Sequence, residues 1–275
     1  MTKTWFITGA SRGLGRIWAE AALSRGDKVA ATARTLDGVA GLSERFGDSV
    51  LPLALDVTDA EQVQQVVAQA HAHFGQLDVV LNNAGYSLVG AIEEASESDV
   101  RALFETNYFG TIRVIQAALP LLRQQGNGHI LGVSSGLGLT AMPLIGYYCT
   151  SKWAIEALHE SLAQEVKPFG IKVTLIEPGA YATEFASPAS LKMAAGLDVY
   201  DSLREQISSQ LSSEKRGDPQ ATAAAILQIV DAEEPPLRFI LGDQNLPLAR
   251  AAYADRLATW EAWEAVSNAA QGESH

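Results

Sequence analysis

The 275-residue sequence holds a single cysteine, Cys149, which excludes an internal disulfide framework and any zinc site built on cysteines. So low a thiol count fits a reducing compartment. Basic charge is also scarce. Lys and Arg number 20 against 32 Asp and Glu, a net charge of −12, which excludes broad binding to nucleic acid or anionic membranes. An anionic ligand needs a local basic pocket in such a chain. Long apolar runs are missing too: Trp5-Phe6-Ile7 is interrupted at Gly9, short of the roughly 7–15 residues of a signal-peptide core. No run approaches the roughly 18 residues of a membrane-spanning helix, so a soluble, cytoplasmic protein is expected. No linker rich in Gly, Ser or Pro, no charge block and no internal repeat divides the chain. Length alone suggests about two domains, but this continuity implies one domain over 1–275.

What is present describes an ordinary packed protein, 47% hydrophobic and 19% charged with a mean hydropathy of +0.05. Short apolar and β-branched runs alternate with stretches of helical period. Thr4–Thr8, Lys28–Ala33, Val50–Leu55, Asp78–Leu81, His129–Ser134, Lys172–Glu177 and Arg238–Leu241 read as strands. Leu14, Ile17, Trp18 and Ala21 share one helical face, as do Val63, Val66, Val67, Ala70 and Phe74. The pattern implies a doubly wound, mostly parallel α/β sheet of about seven strands. Two segments depart from it. Residues 184–217 follow a strand and precede a helix start at Asp218-Pro219, as a substrate lid would. A tail over 244–275 carries Trp260 and Trp263 before a polar end that is expected to fray.

Directly after the first strand, Thr8-Gly9-Ala10-Ser11-Arg12-Gly13-Leu14-Gly15 leads into the first helix. Gly9 permits a tight turn, Gly13 lets backbone approach a pyrophosphate, Gly15 lets the helix pack on the strand, and the helix N-terminal amides face the anion. A turn that binds nothing is the alternative this motif leaves open by itself. Further along, Tyr148 and Lys152 stand four apart at a helix start, on one face about a turn apart. Bringing a phenol from a pKa near 10 to about 7 requires roughly 4 kcal/mol of preference for the phenolate. A fixed ammonium such as that of Lys152 supplies part of it, and a second positive charge beside the phenol would supply the rest.

The glycine turn, Leu55-Asp56-Val57, Asn82-Asn83-Ala84-Gly85, Asn107, Ser134-Ser135, Tyr148-Cys149-Thr150-Ser151-Lys152 and Pro178-Gly179 with Thr183 occur in this order. Over Thr4 to about Thr183 the chain resembles the short-chain dehydrogenase/reductase family. That resemblance implies a Rossmann-like fold and a nicotinamide cofactor. In it, Tyr148 is the general acid or base, Lys152 tunes Tyr148 and bonds the nicotinamide ribose, and Asn107 holds a water linking Lys152 to solvent. The family's polarising serine precedes the tyrosine by about 13 residues, which selects Ser135 over Ser134. Asp56 and Val57 are expected at the adenine, Asn82, Ala84 and Gly85 beside its ribose, and Thr183 at the carboxamide. Pro178-Gly179 is either a contact or a turn. Ser11 and Leu14 belong to the glycine turn.

Cofactor preference turns on the end of the second strand. Members that prefer NAD usually carry a carboxylate there, and Ala30-Ala31-Thr32-Ala33-Arg34 has none. Arg12 and Arg34 suit a phosphate dianion, so NADP(H) is expected over NAD(H). No metal is needed: His71 and His73 point apart on their helix, and His129 and His159 lack partner ligands. Tyr86, Leu137, Leu139, Met142, Tyr147 and Tyr181, with residues of the 184–217 segment, are expected to line a mainly apolar substrate pocket. The function implied is hydride exchange between NADP(H) and a small carbonyl compound or secondary alcohol, the alternative being an NADP(H)-sensing regulatory protein without turnover. Glu93-Glu94 reads as solvated surface. By resemblance the protein forms a homodimer or homotetramer, with Trp153 and the tail tryptophans either at that interface or in the core.

Overall fold

The computed structural model describes residues 2–272 apart from Ala189 and Glu214. Residues 273–275, the end of the expected polar tail, lie outside the described residues. The elements run β1 (Thr4–Ile7), α1 (Gly13–Ser24), β2 (Lys28–Ala33), α2 (Asp37–Phe46), β3 (Val50–Ala54), α3 (Ala60–Phe74), β4 (Val79–Asn82) and β5 (Ser87–Val89). They continue with α4 (Glu97–Phe104), α5 (Gly110–Gln125), β6 (Gly128–Val133), α6 (Gly146–Val166), β7 (Ile171–Pro178), β8 (Leu191–Met193), α7 (Asp201–Ser213), α8 (Thr222–Asp231), β9 (Arg238–Leu241), α9 (Asn245–Ala262) and α10 (Glu264–Ala269).

Seven strands form one parallel sheet in the order β3-β2-β1-β4-β6-β7-β9, the α/β doubly wound sheet of about seven strands that the alternation implied. Its strands are buried on both faces, which is why they read as continuous apolar runs. Trp5 and Ile7 of β1 pack with α1, α2 and α8, whereas Phe6 between them packs with α3, α5 and α6. After β3 the chain returns across β1 to build β4. The strand order therefore reverses between β1 and β4, opening a crevice at their carboxyl ends where such sheets hold ligands.

Three expectations change. The buried stripe of α1 is Gly15, Trp18, Ala19, Ala22 and Leu23, with Leu14 and Ile17 only half-buried at its edge. The close seating of Gly15 on the turn after β1 sets this rotation. A second, two-stranded parallel sheet pairs β5 with β8. Strands of three residues carry no periodicity to read. In the tail, Trp260 and Trp263 are exposed rather than core residues, while exposed Trp153 lies under the Arg256 guanidinium, 4.8 Å from its ring. Among the described residues no helix is long and apolar enough to cross a membrane.

Candidate active site

The turn after β1 is laced to the loop after β4 through the side chains of Thr8 and Asn83. Thr8 Oγ1 accepts bonds from the amides of Asn83 and Ala84, both at 3.0 Å. Asn83 Nδ2 donates to the carbonyls of Thr8 and Gly9, also at 3.0 Å. Gly9 and Gly13 adopt φ of +68° and +57°, a region that side chains rarely enter. At Gly15 a Cβ would lie 2.3 Å from Asn83 Nδ2 and 2.6 Å from Gly9 O, so α1 is seated directly on the turn. The result is a cradle of bare backbone at a helix N-terminus, which suits a pyrophosphate.

This cradle forms one end of a cavity of ≈ 1990 Å³ that runs along the carboxyl ends of the strands. At its centre α6 presents Tyr148 and Lys152, whose residues are 5% and 6% exposed. Lys152 Nζ lies 5.6 Å from the centre of the Tyr148 ring and donates a 2.8 Å bond to Val133 O. Ser135 caps a short turn at Gly136–Gly138, its Oγ accepting from Leu137 N at 3.1 Å. Burial pushes the Tyr148 phenol above its ordinary 10, against a downward pull from the Ser135 hydroxyl. Burial likewise lowers Lys152 to about 8, with Glu156 raising it.

A family model described as short chain dehydrogenase matches residues 3–194. The chain belongs to the short-chain dehydrogenase family. It is 42% identical to "Oxidoreductase BOA17" of Botryotinia fuckeliana over 276 residues, which spans 97% of this chain and 98% of that one. A short-chain dehydrogenase from Streptomyces avermitilis shares 38% identity and superposes with a TM-score of 0.92, covering 98% of this chain and 99% of its own. A short chain dehydrogenase from Burkholderia cenocepacia J2315 in complex with NADP is 27% identical, with a TM-score of 0.75 over 94% of this chain and 96% of its own. This chain is thus an oxidoreductase of the short-chain dehydrogenase family, whose solved neighbours bind NAD or NADP.

Of the residues expected to hold cofactor in this short-chain dehydrogenase, Gly9, Ser11, Arg12, Gly13, Leu14, Arg34, Asp56, Val57, Ala84, Gly85, Pro178, Gly179 and Thr183 line the cavity, as do Ser135, Tyr148 and Lys152. Gly15 does not, because it is sealed beneath the turn. Asn82 does not either. As the last residue of β4 it is buried in the sheet, and Asn83, next along the pleat, laces the turn instead. Asn107 is buried outside the cavity wall, in a π-helical turn at Glu105–Phe109. Its amide is spent on Tyr86 N, Tyr86 O and Ser151 Oγ, at 3.0, 2.9 and 3.1 Å. It makes no direct bond to Lys152 and braces the Tyr86 backbone.

Among the expected substrate residues, Tyr86, Leu137, Met142 and Tyr181 line the cavity, but Leu139 and Tyr147 do not. Leu139 faces a separate cavity of ≈ 470 Å³, because the short turn at Gly136–Gly138 rotates it away. Tyr147 is about 100° around α6 from Tyr148, and its hydroxyl donates to Ile92 O at 3.0 Å. Phe185, within the expected 184–217 lid, has its ring centre 5.9 Å from that of Tyr148; sequence reasoning missed Leu248 at the start of α9. It also misplaced Glu94. Its side chain is 1% exposed and pairs with Arg204.

Proposed function

We propose that the protein is an NADP(H)-dependent oxidoreductase that exchanges a hydride between the nicotinamide and the carbonyl or carbinol carbon of a small apolar substrate. The observation that carries the reading is the burial of Tyr148 and Lys152 side by side on the same cavity as the glycine cradle. The cradle fits the cofactor: Gly13 leaves open space that a pyrophosphate needs, Gly9 makes room for the close approach of Asn83 and Ala84 that shapes the turn, and the α1 amides favour the anion's charge. Arg12 in the glycine turn and Arg34 just past β2 both border the cavity, where they would pair a 2′-phosphate, while Asp56 and Val57 would flank the adenine. Bound there, the nicotinamide supplies or accepts the hydride.

The chain's own work is on the proton. Because burial holds the Tyr148 phenol above its ordinary value, Tyr148 stands protonated at neutral pH, the form that donates to an oxygen during reduction. The expected descent to about 7 is therefore not achieved by the side chains alone. Lys152 would bond the ribose, and Ser135 would orient the substrate oxygen. Met142, Phe185, Leu191, Leu211 and Leu248 line the same cavity, supporting an apolar substrate, and segment 184–217 supplies three of them, as a lid does.

NADPH oxidation followed against ketones and aldehydes tests this reading. Tyr148→Phe is expected to lower kcat by about 10²–10⁴-fold while NADPH still binds. Retained turnover in that variant would contradict the role of Tyr148, and tight NADPH binding without turnover on any carbonyl would favour a sensor. Arg34→Asp tests the cofactor: NADPH affinity is expected to fall and NADH affinity to rise, and unchanged affinities would remove NADP preference.

A further inference from the structure

Behind the α6 wall of the cavity lies a second ionisable cluster that the proposed chemistry does not use. One turn beyond Lys152, Glu156 projects from the same side of α6, its side chain 7% exposed. Arg238 Nε on β9 donates to Glu156 Oε2 at 3.0 Å. The same guanidinium bonds Glu160 and stands 3.8 Å from Glu177 Oε1 on β7. The Glu177 side chain is 1% exposed and borders the smaller cavity with Glu160 and Tyr253.

Two buried polar atoms here, His159 Nε2 and Glu177 Oε1, have no hydrogen-bond partner, while the Ser134 hydroxyl faces the Glu156 carboxyl. Leaving such an atom unpaired costs on the order of 1–3 kcal/mol, so packing alone gives no reason for the arrangement. A reason comes from Lys152. Its ammonium is buried, and its bond to Val133 O supplies a dipole but no counter-charge. The spacing within the cluster gives that task to one carboxylate. A Cβ at Gly138 would touch both Ser134 Oγ and the Glu156 side chain, at 2.5 and 3.2 Å. Glu156 is therefore wedged under the turn that carries Ser135, on the side of Lys152.

The other titratable neighbours are Tyr148, Cys149, His159 and Glu160 on α6, Glu177 on β7, Arg238 on β9 and Tyr253 on α9. Burial keeps the Tyr148 and Cys149 side chains neutral by raising them. It lowers His159 to about 4 and raises Glu177 to about 8, so both are neutral at pH 7. Glu156 is also raised by burial, against the pull of the Ser134 hydroxyl and then of Arg238. Arg238 and Glu156 form an ion pair one turn of α6 from Lys152.

We propose that Glu156 is a positioning residue for Lys152: held as a carboxylate by Arg238, it supplies the counter-charge that keeps the buried lysine an ammonium beside Tyr148. The inference rests on the role given to Lys152 above, yet its first test uses no turnover. In the full chain, the Lys152 Nζ titration is followed by NMR of labelled lysine in the wild type, Glu156→Gln, Arg238→Met and Glu160→Gln. The midpoint falls by about one pH unit in Glu156→Gln and in the same direction in Arg238→Met. Glu160→Gln, which removes only the exposed partner, leaves it in place. The alkaline limb of kcat/KM then moves down with the midpoint, and Glu156→Asp restores part of the shift. An unmoved Lys152 midpoint in folded Glu156→Gln overturns the proposal, and Arg238→Met decides in the same way should Glu156→Gln fail to fold. A midpoint that moves without moving the pH–rate limb supports the counter-charge and overturns the catalytic role of Lys152 instead.

Discussion

The glycine turn and segment 184–217 border the same cavity, but different physics holds each in place. The turn is fixed by backbone and by lack of space: Thr8 and Asn83 tie it with four bonds near 3.0 Å, and α1 rests on it at Gly15 with no room for a methyl group. The segment is held by the short β5–β8 pairing and otherwise by a few side-chain ties. Glu94 accepts from Leu197 N and Arg204 Nη1, at 2.7 and 2.6 Å, and from Ala91 N at 2.6 Å. Lys192 pairs with Asp99, and the Tyr200 hydroxyl donates to Glu93. A frame that cannot shift suits a cofactor of constant shape, and a cover held by a handful of polar contacts suits a substrate that must enter and leave.

The largest effect is expected from breaking the rigid side. Gly15→Ala places a Cβ within 2.6 Å of Gly9 O, a backbone atom that cannot step aside. Overpacking of this kind costs about 1–3 kcal/mol. Thermal unfolding is expected to show a lower Tm together with weaker NADPH binding, because the displaced atom belongs to the cradle itself. An unchanged Tm with unchanged NADPH affinity would mean that the turn is as adaptable as the segment opposite, and the contrast would vanish.

The same contrast explains what could be read from the sequence. The seven long strands and the glycine turn were legible because their signals are local: continuous apolar runs, a strand-turn-helix junction, and Tyr148 four residues before Lys152. The errors fall where a side chain's direction depends on one residue of register. Asn82 and Asn83 are adjacent and chemically identical, and only the end of β4 at Asn82 decides which reaches the turn. Leu139 and Tyr147 are apolar and near the right place, yet each is rotated out of the cavity by the element that carries it. Glu94 was read as solvated because its partners Leu197 and Arg204 are more than 100 residues away in sequence. No local pattern records a tie of that length.

Glu94 also gives the smaller and more discriminating test. Its hydrogen bonds to Leu197 N, Arg204 and Ala91 N hold its carboxyl down to about 2 from the ordinary 4.5. With the folded value depressed, the stabilisation these bonds lend is complete above about 4.5 and is lost only as pH falls toward 2. The clasp is therefore fully formed across the working pH range. Glu94→Gln keeps the shape but removes the charge that Arg204 pairs with. Steady-state kinetics are expected to show a several-fold rise in KM for the carbonyl substrate, with kcat and NADPH affinity close to wild type. That rise should be the same at pH 6 and pH 9, in contrast to Glu156→Gln, whose deficit grows with pH as Lys152 loses its proton. A Glu94→Gln variant with weakened NADPH binding and unaltered substrate KM would show that this carboxylate supports the cradle rather than the cover, and would erase the division of labour between the two sides.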